Sequence, residues 1–398
     1  MRKKFTNLQF LTLILLLFVA SNINAQNGYQ FTDIKRLDCT SVKDQNRSGT
    51  CWSFSGMAFF ESEMIRSGKK DIPELSQMFV VRNCYSDKAV KYVRMHGSLN
   101  FGGGGAFHDD TYVLKNYGLI PKEIYTGLQY GETNHVHGEM DEVLKDYCDG
   151  VIKNNNKKLS TAWKKGLDGI LDAYLGPIPT NFNYKGKSYT PKTFASEVTG
   201  LNADDYVEIS SFTHHPYNEP FIIEIPDNWQ WGQVYNVELN DLTKIIDYSI
   251  QNGYTVAWAT DVSETGFSQS EGLAIVPGKD IEELNGSERL KWEKLTDAEK
   301  ESTYSTFYKP GSEKKITPEV RQQAFDNYQT TDDHGMLILG TAKDQTGKKY
   351  YIVKNSWNEI GKYKGFLYAS EAFVLYKTTT IMVNKNAIPK DIRAKLKL

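Results

Sequence analysis

The sequence predicts an α+β protein, and three observations carry that reading. Apolar-periodic segments that open on small polar residues and stop at glycine recur through the front and middle of the chain. Near the C-terminus, β-rich apolar runs are joined by a short polar turn. Across 398 residues, 40% hydrophobic and 24% charged positions lie near the averages for globular domains, enough for two domains or for one enlarged by an insertion. The 47 Lys and Arg against 49 Asp and Glu leave a net charge of −2. No chain-wide field exists to draw nucleic acid or anionic lipid.

The first residues stand apart from the fold. MRKKF supplies a cationic start, Leu11 to Ala20 an apolar run, and Ala25 a small residue before a cleavage point. The apolar run is shorter than the roughly 20 residues that span a bilayer, and polar SNINAQN follows it. Residues 1–25 therefore read as a signal peptide. The mature chain, 26–398, is expected to be exported to a periplasm or the extracellular space with no stable membrane anchor. Four cysteines, Cys39, Cys51, Cys84 and Cys148, match no zinc spacing and are too few for a disulfide-built scaffold. Export permits pairing among Cys39, Cys84 and Cys148, and the sequence leaves the pairing open.

In chain order, the first informative element is QNRSGTCWSFSGMAFFESEMIRSG, residues 45–68, a polar loop running into an apolar-periodic helix that stops at Gly68. Cys51 sits at the helix start. Peptide dipoles and unpaired N–H groups favour an anion there, so the thiol is expected to ionise below the free-cysteine value of about 8.5. His135, His137 and Glu139 form no known metal spacing and read as a solvated loop. Ser160 precedes an amphipathic helix with Trp163, Leu167, Ile170, Leu171, Tyr174 and Leu175 on one face. His214 and His215 have no evident third ligand, so no metal is assigned. A second helix runs from Asn240 to Gly253, Thr255 to Val262 reads as a buried strand, and Thr317-Pro318-Glu319 starts a further helix.

The last element is DDHGMLILGTAKDQTGKKYYIVKNSW, a hairpin whose turn lies at Asp344 to Lys348. A turn centred near Gln345 and Thr346 brings His334 and Asn355 close to opposite positions on adjacent strands. An imidazole held by an uncharged amide is the arrangement that activates a cysteine nucleophile, and Trp357 is placed to shield that bond from water.

An early Cys, a late His and an Asn after it follow the order of the Cys-His-Asn triad, and here the sequence resembles papain-like cysteine peptidases. Gln45, six residues before Cys51, resembles the superfamily's oxyanion-hole glutamine; LSQ at Leu75 to Gln77, GGGG at Gly102 to Gly105 and NYGLIP from Asn116 resemble its left-hand domain. SSFTHHPYNEPF from Ser210, RQQAFDNYQTTDDHGM ending at Met336 and KNSWNEIGKYKGFLYAS from Lys354 are similar to one branch, the bleomycin hydrolases and bacterial aminopeptidases C.

The resemblance implies a two-domain fold, a helical left domain and an antiparallel β right domain, with a largely helical elaboration at about 127–330. It implies thiol-dependent peptide hydrolysis through Cys51, His334 and Asn355, with Gln45 and the Cys51 N–H holding the oxyanion, no cofactor, and peptides as partners. Gly102 to Gly105 lacks the Lys and Ser/Thr of a phosphate loop; Gly104 and Gly105 read as a flat cleft wall for a peptide. His214 and His215 are implied to be structural or cleft-lining. Asp333 precedes His334 where papain has a neutral residue; its carboxylate either faces the ring or faces solvent. The branch carries a C-terminal arm that receives the substrate's amino group, and IPKDIRAKLKL ends about where that arm would begin. Aminopeptidase action is thus the leading expectation, endopeptidase or dipeptidyl peptidase action the rival within the fold, and an inactive peptide-binding scaffold or a thioester-using transferase the rivals outside it. The branch's hexamer is a doubtful expectation here for the same reason.

Overall fold

The computed structural model describes residues 28–277 and 307–398, together with residues 286, 290, 293, 294 and 296. The segment read as a signal peptide lies outside the described residues. The protein is α+β, and its layout follows from one helix. In α1 (Cys51–Arg66) every residue from Trp52 to Met64 is buried, so the helix lies inside the protein and has no solvent face.

On one side of α1, the helices α2 (Gln77–Arg94), α3 (Phe107–Asn116), α4 (Gly138–Ile152) and α5 (Ala162–Leu175) share a core with it that includes Phe59, Phe79, Leu144 and Leu167. Ser76 caps α2 by accepting the Phe79 N–H at 3.0 Å. In α5 the expected apolar face is present: Leu167, Leu171 and Leu175 are buried, with Trp163, Ile170 and Tyr174 packed beside them. Cys84 and Cys148 lie buried in this core, and all four cysteines are free thiols.

On the other side lies an 11-stranded sheet. Its long strand β10 (His334–Asp344) follows β1 (Phe31–Arg36) and β7 (Val256–Thr260) in the chain and pairs with both, taking β7 over His334 to Ile338 and β1 from Gly340 onward. The expected hairpin joins β10 to β11 (Lys349–Lys354), with Leu337 opposite Lys354. Asp344 Oδ1 closes its turn by accepting the N–H groups of Thr346 at 2.8 Å and Lys348 at 3.0 Å. Beyond β11 come β12 (Phe366–Ser370), β9 (Leu273–Ala274) and β8 (Phe267–Ser268); beyond β7 come β13 (Thr378–Asn384), β4 (Tyr206–Ser210), β6 (Gln233–Asn236) and β5 (Pro220–Ile222). A separate hairpin pairs β2 (Phe182–Tyr184) with β3 (Lys187–Tyr189). The far face of the sheet is covered by α6 (Leu239–Gln251), α8 (Glu371–Lys377) and the C-terminal α9 (Lys390–Lys395) in a second core around Trp258, Ile338, Tyr351 and Ile392; Ala324 of α7 (Pro318–Asp326) joins it. Among the described residues no helix is long and apolar enough to cross a membrane.

Two expectations change. The 127–330 segment supplies β4 to β9 of the main sheet as well as helices; the expected buried strand at Thr255 to Val262 is β7, and the others, of two to five residues, are too short to print a period-2 pattern. His135 and His137 are buried beneath the loop that leads to α1 instead of solvated. Arg47 donates to the His135 carbonyl at 2.9 Å and accepts from the His137 N–H at 3.0 Å. Both His137 ring nitrogens and His135 Nδ1 are buried without a hydrogen-bond partner. Burial pushes His135 down to about 4 and His137 to about 3.

Polar groups fix α1 against the sheet. Glu61 accepts the Leu75 N–H at 2.8 Å and the Thr40 hydroxyl, while Lys354 Nζ reaches the Thr40 carbonyl at 2.8 Å. Glu63 accepts from Asn384 Nδ2 of β13 at 2.7 Å. Elsewhere the buried guanidinium of Arg321 on α7 has carbonyl partners: Ser211 at 2.7 Å, Leu375 at 2.9 Å, and Thr378.

Two outcomes are expected. Arg321→Met strands several buried carbonyls at about 1–3 kcal/mol each, so denaturant unfolding should show a loss of about 3 kcal/mol or more; a loss under 1 kcal/mol sinks the clasp reading. The folded-state values of His135 and His137 lie below the unfolded 6.5. Their contribution to stability is therefore full above pH 6.5 and is lost as pH falls toward about 4. His137→Gln should flatten that acid slope by about 1.4 kcal/mol per pH unit in urea titrations; an unchanged slope refutes it.

Candidate active site

Cys51 is the first residue of α1, and the helix start is left open because the Thr50 hydroxyl pairs with Ser48 Oγ at 2.6 Å and caps no N–H. Backbone N–H groups of Gly335 and Trp52 point at the Cys51 sulfur. That contact brings the front of the helix against the front of β10, one residue from His334. A Cβ at Gly335 would stand 3.3 Å from the Cys51 carbonyl oxygen and 2.7 Å from Ser55 Oγ, so only glycine allows the approach without a shift.

His334 lies at the start of β10, opposite Thr260 of β7. Its Nε2 is 2.7 Å from Asn355 Oδ1. The Ser356 N–H donates to the same atom at 2.7 Å, and Asn355 Nδ2 donates to Gln269 Oε1 at 2.8 Å. A backbone N–H only donates, so that atom is the amide oxygen and Nε2 carries the proton. The other ring nitrogen, Nδ1, is then the one left to accept a proton. The Trp357 ring lies 4.5 Å from the imidazole and covers the pair.

Gln45 is held at both ends of its amide. Ser356 Oγ donates to Oε1 at 2.7 Å, and Nε2 donates to the Ser48 carbonyl at 2.9 Å, leaving the second Nε2 hydrogen free. The glycine run is packed because it has no side chains. A Cβ on Gly103 would press on Gly49, one on Gly104 would overlap the Asp227 carboxylate, and one on Gly105 would overlap the Trp52 ring. Trp52 Nε1 and Lys88 Nζ hold the run by its carbonyls, at Gly103 and Gly102.

Gln45, Cys51, Gly104, Gly105, His334 and Trp357 line one cavity of about 340 Å³, with Asn355 buried behind the imidazole. The same walls carry Asp227, Asp332 and Asp333. Sequence reading passed over Asp227 and Asp332, and also over Gln269, Ser356 and Gly335. Asp333 resolves the earlier alternative toward neither extreme: its carboxylate accepts the N–H groups of Val262 at 2.9 Å and Ser263 at 3.2 Å, while its charge still favours a protonated His334. Asp332 accepts from Thr379 Oγ1 at 2.9 Å.

The electrostatics correct the expected acidic thiol. Burial pushes the Cys51 thiol up to about 12, with Asp332 and Asp227 adding to the rise. The facing N–H groups act the other way and lose, since a helix start is worth at most about 2 kcal/mol. Burial likewise pushes His334 down to about 4, against the Asn355 bond. Burial thus opposes charge on either group taken alone. Burial raises Asp332 to about 7, helped by the Asp227 carboxylate, and raises Asp227 as well.

Comparison with known proteins agrees with this layout. The chain is 22% identical to aminopeptidase C of Lactococcus lactis subsp. lactis (strain IL1403), over 88% of this chain and 82% of that protein. It is 23% identical to aminopeptidase C of Listeria monocytogenes, over 88% and 81%, and 21% identical to mitochondrial cysteine proteinase 1 of Saccharomyces cerevisiae, over 94% and 81%. The crystal structure of PepW from Lactobacillus rhamnosis HN001 superposes with a TM-score of 0.67 at 19% identity, covering 100% of this chain and 96% of that one. The papain family of cysteine proteases matches residues 300–383, which include His334 and Asn355. Residues 18–288, including Gln45 and Cys51, match the Peptidase C1-like family, and the chain belongs to it.

Proposed function

We propose that this chain is an exported thiol-dependent aminopeptidase that removes residues from the free amino end of peptides. Several relatives of similar length carry the name aminopeptidase C. The observation that carries the reading is the pair of carboxylates, Asp227 and Asp332, on the walls of the cavity that holds the Cys51 sulfur. Carboxylates beside a thiol oppose its ionisation, a cost with no use in cleaving a neutral internal segment. A substrate that brings its own ammonium group cancels that cost and is anchored by it. Recognition of the free amino end and activation of the sulfur are then one event. The C-terminal helix α9 plays no part in this anchoring: Ile392 and Leu396 are buried in the second core, and no described residue beyond Thr380 lines the cavity.

The chemistry follows from the positions. The Cys51 proton passes to His334 Nδ1 as the sulfur bonds to the carbonyl carbon of the scissile amide. The oxyanion takes the Cys51 N–H and the free Gln45 Nε2 hydrogen, held in place by Ser356. His334 gives its proton to the leaving amine as the C–N bond breaks. Water, deprotonated by the same imidazole, then cleaves the thioester and restores the thiol. Asn355 and Trp357 act through His334, one fixing its tautomer and the other excluding water. Export rests on the cationic start and apolar run of residues 1–25.

Peptides with free and acetylated amino ends provide the test. Cys51→Ala should abolish turnover of both. Wild type should favour free ends, and Asp227→Asn or Asp332→Asn should raise KM for them by about 10- to 100-fold, the worth of a charge-assisted bond, while leaving the blocked peptide unchanged. Because Asp332 loses its proton near pH 7, kcat/KM for free ends should rise through that pH and lose this step in Asp332→Asn. Equal cleavage of blocked peptides means an endopeptidase. In a separate variant, Gly335→Ala should displace β10 from Cys51 by a few tenths of an ångström. A fall in kcat/KM of about 10- to 100-fold, with little change in unfolding midpoint, is the expected result; full activity removes the close-approach argument.

A further inference from the structure

We infer that His214, His215 and Glu224 form a binding site for a divalent transition metal, with zinc as the best fit, separate from the thiol chemistry. The sequence shows the two histidines but hides the third ligand, which comes from beyond the end of β5 after the chain turns back. One donor atom from each of the three side chains lies within 4.8 Å of the others. His214 Nε2 is 3.0 Å from Glu224 Oε2, and His215 Nε2 is 3.0 Å from Glu224 Oε1. A tetrahedral zinc ion with ligand arms of about 2.0–2.1 Å spaces neighbouring donors by roughly 3.3 Å, so each histidine needs to open from the carboxylate by only a few tenths of an ångström, and the two imidazole nitrogens, within 4.8 Å of each other, need to stand near that spacing.

The hydrogen bonds around His214 call for a proton or a metal ion between the ring and the carboxylate. Gln322 Oε1 accepts the Thr213 N–H at 2.7 Å, and Gln322 Nε2 donates to Asp326 Oδ1 at 2.8 Å, which fixes which end of the amide is oxygen. His214 Nδ1, 3.1 Å from that oxygen, must therefore carry a proton. In the neutral ring Nε2 is then a bare lone pair aimed at a carboxylate oxygen. Two acceptors face each other at hydrogen-bond distance, and only a second proton or a metal ion relieves them. An imidazole whose far nitrogen donates to a fixed oxygen is also the usual outer support of a metal ligand.

The rings are held ready. His215 stacks on Phe221 at 4.5 Å and 26°, and His214 on Phe325 at 6.0 Å and 22°. The ligands are partly exposed, with side-chain accessibilities of 30%, 31% and 57%, so an ion has a route in and a position left for water. Two imidazoles and one carboxylate suit zinc and match no oxygen-rich calcium or magnesium site. Ile225, next to Glu224, lines the catalytic cavity, so an ion here would clamp that wall without touching the reacting atoms.

The test is zinc binding by the full chain carrying Cys51→Ala, which removes the competing reactive thiol and makes the result independent of any peptidase activity. Calorimetry with zinc sulfate should find one equivalent. Glu224→Gln and His215→Gln should each weaken binding at least tenfold, and Gln322→Ala by about 10- to 100-fold through loss of the support. A hundredfold excess over Kd should raise the unfolding midpoint by about 3 °C. X-ray absorption should show imidazole scattering with nitrogen or oxygen at about 2.0 Å and no sulfur near 2.3 Å. A sulfur shell, binding that survives Glu224→Gln and His215→Gln, or no stoichiometric uptake overturns the site and leaves a protonated His214 as the ion between ring and carboxylate.

Discussion

A helix buried on all sides has to end somewhere inside the protein, and α1 ends against the start of β10. The rest of the site depends on that junction. Its polar neighbours set it from both directions: Glu61 and Glu63 tie the body of the helix to the Thr40 and Leu75 segments and to β13, and the backbone of Gly335 meets its first residue. With the helix and strand so fixed, the sulfur has little freedom left. The residue that turns this packing contact into a chemical one is the glycine beside His334, because any side chain there would push the strand away from the Cys51 carbonyl.

The price of that burial is electrostatic. Cys51 and His334 each resist charge when considered alone, because burial raises the thiol to about 12 and lowers the imidazole to about 4. Coulomb attraction between neighbouring charges returns about 4 kcal/mol at an effective dielectric of 20. Burial thus opposes the ion pair, and in the proposed mechanism a substrate supplies further stabilisation at the oxyanion and amine positions. The cover that Trp357 lays over the imidazole is consistent with chemistry that waits for its substrate.

What was legible in the sequence was local. The β10–β11 hairpin declares itself because its two strands and its Asp344 turn are contiguous, and from it the His334–Asn355 pairing follows by geometry. Cys51 at a helix start is likewise a short-range signal. The pieces that escaped notice are those whose meaning lies in a distant partner. Asp227 acquires its role by lying over Gly104, Gln269 by meeting the Asn355 amide, and Ser356 by holding Gln45. His135 and His137 misled for the opposite reason. Their neighbours in sequence are polar, but their neighbours in space are Phe54 and the backbone of Arg47. Of the sheet strands between β4 and β9 only β7 was legible, as the apolar run from Thr255 to Val262; the others are too short to show a period.

The glycine run joins these themes. A flat wall for an extended peptide and a floor for close packing make the same demand on the backbone, and Gly104 and Gly105 of the cavity wall meet it because the side chains they lack are replaced by neighbours. Trp52 fills the space beside Gly105 and bonds to the Gly103 carbonyl; Asp227 fills the space beside Gly104. Adding a side chain at Gly104 would therefore displace a carboxylate that shares the cavity with the sulfur. The proposed substrate wall and acidic anchor are thus one structural unit, because the cavity's shape beside Gly104 and the position of its Asp227 carboxylate depend on the same missing Cβ atom.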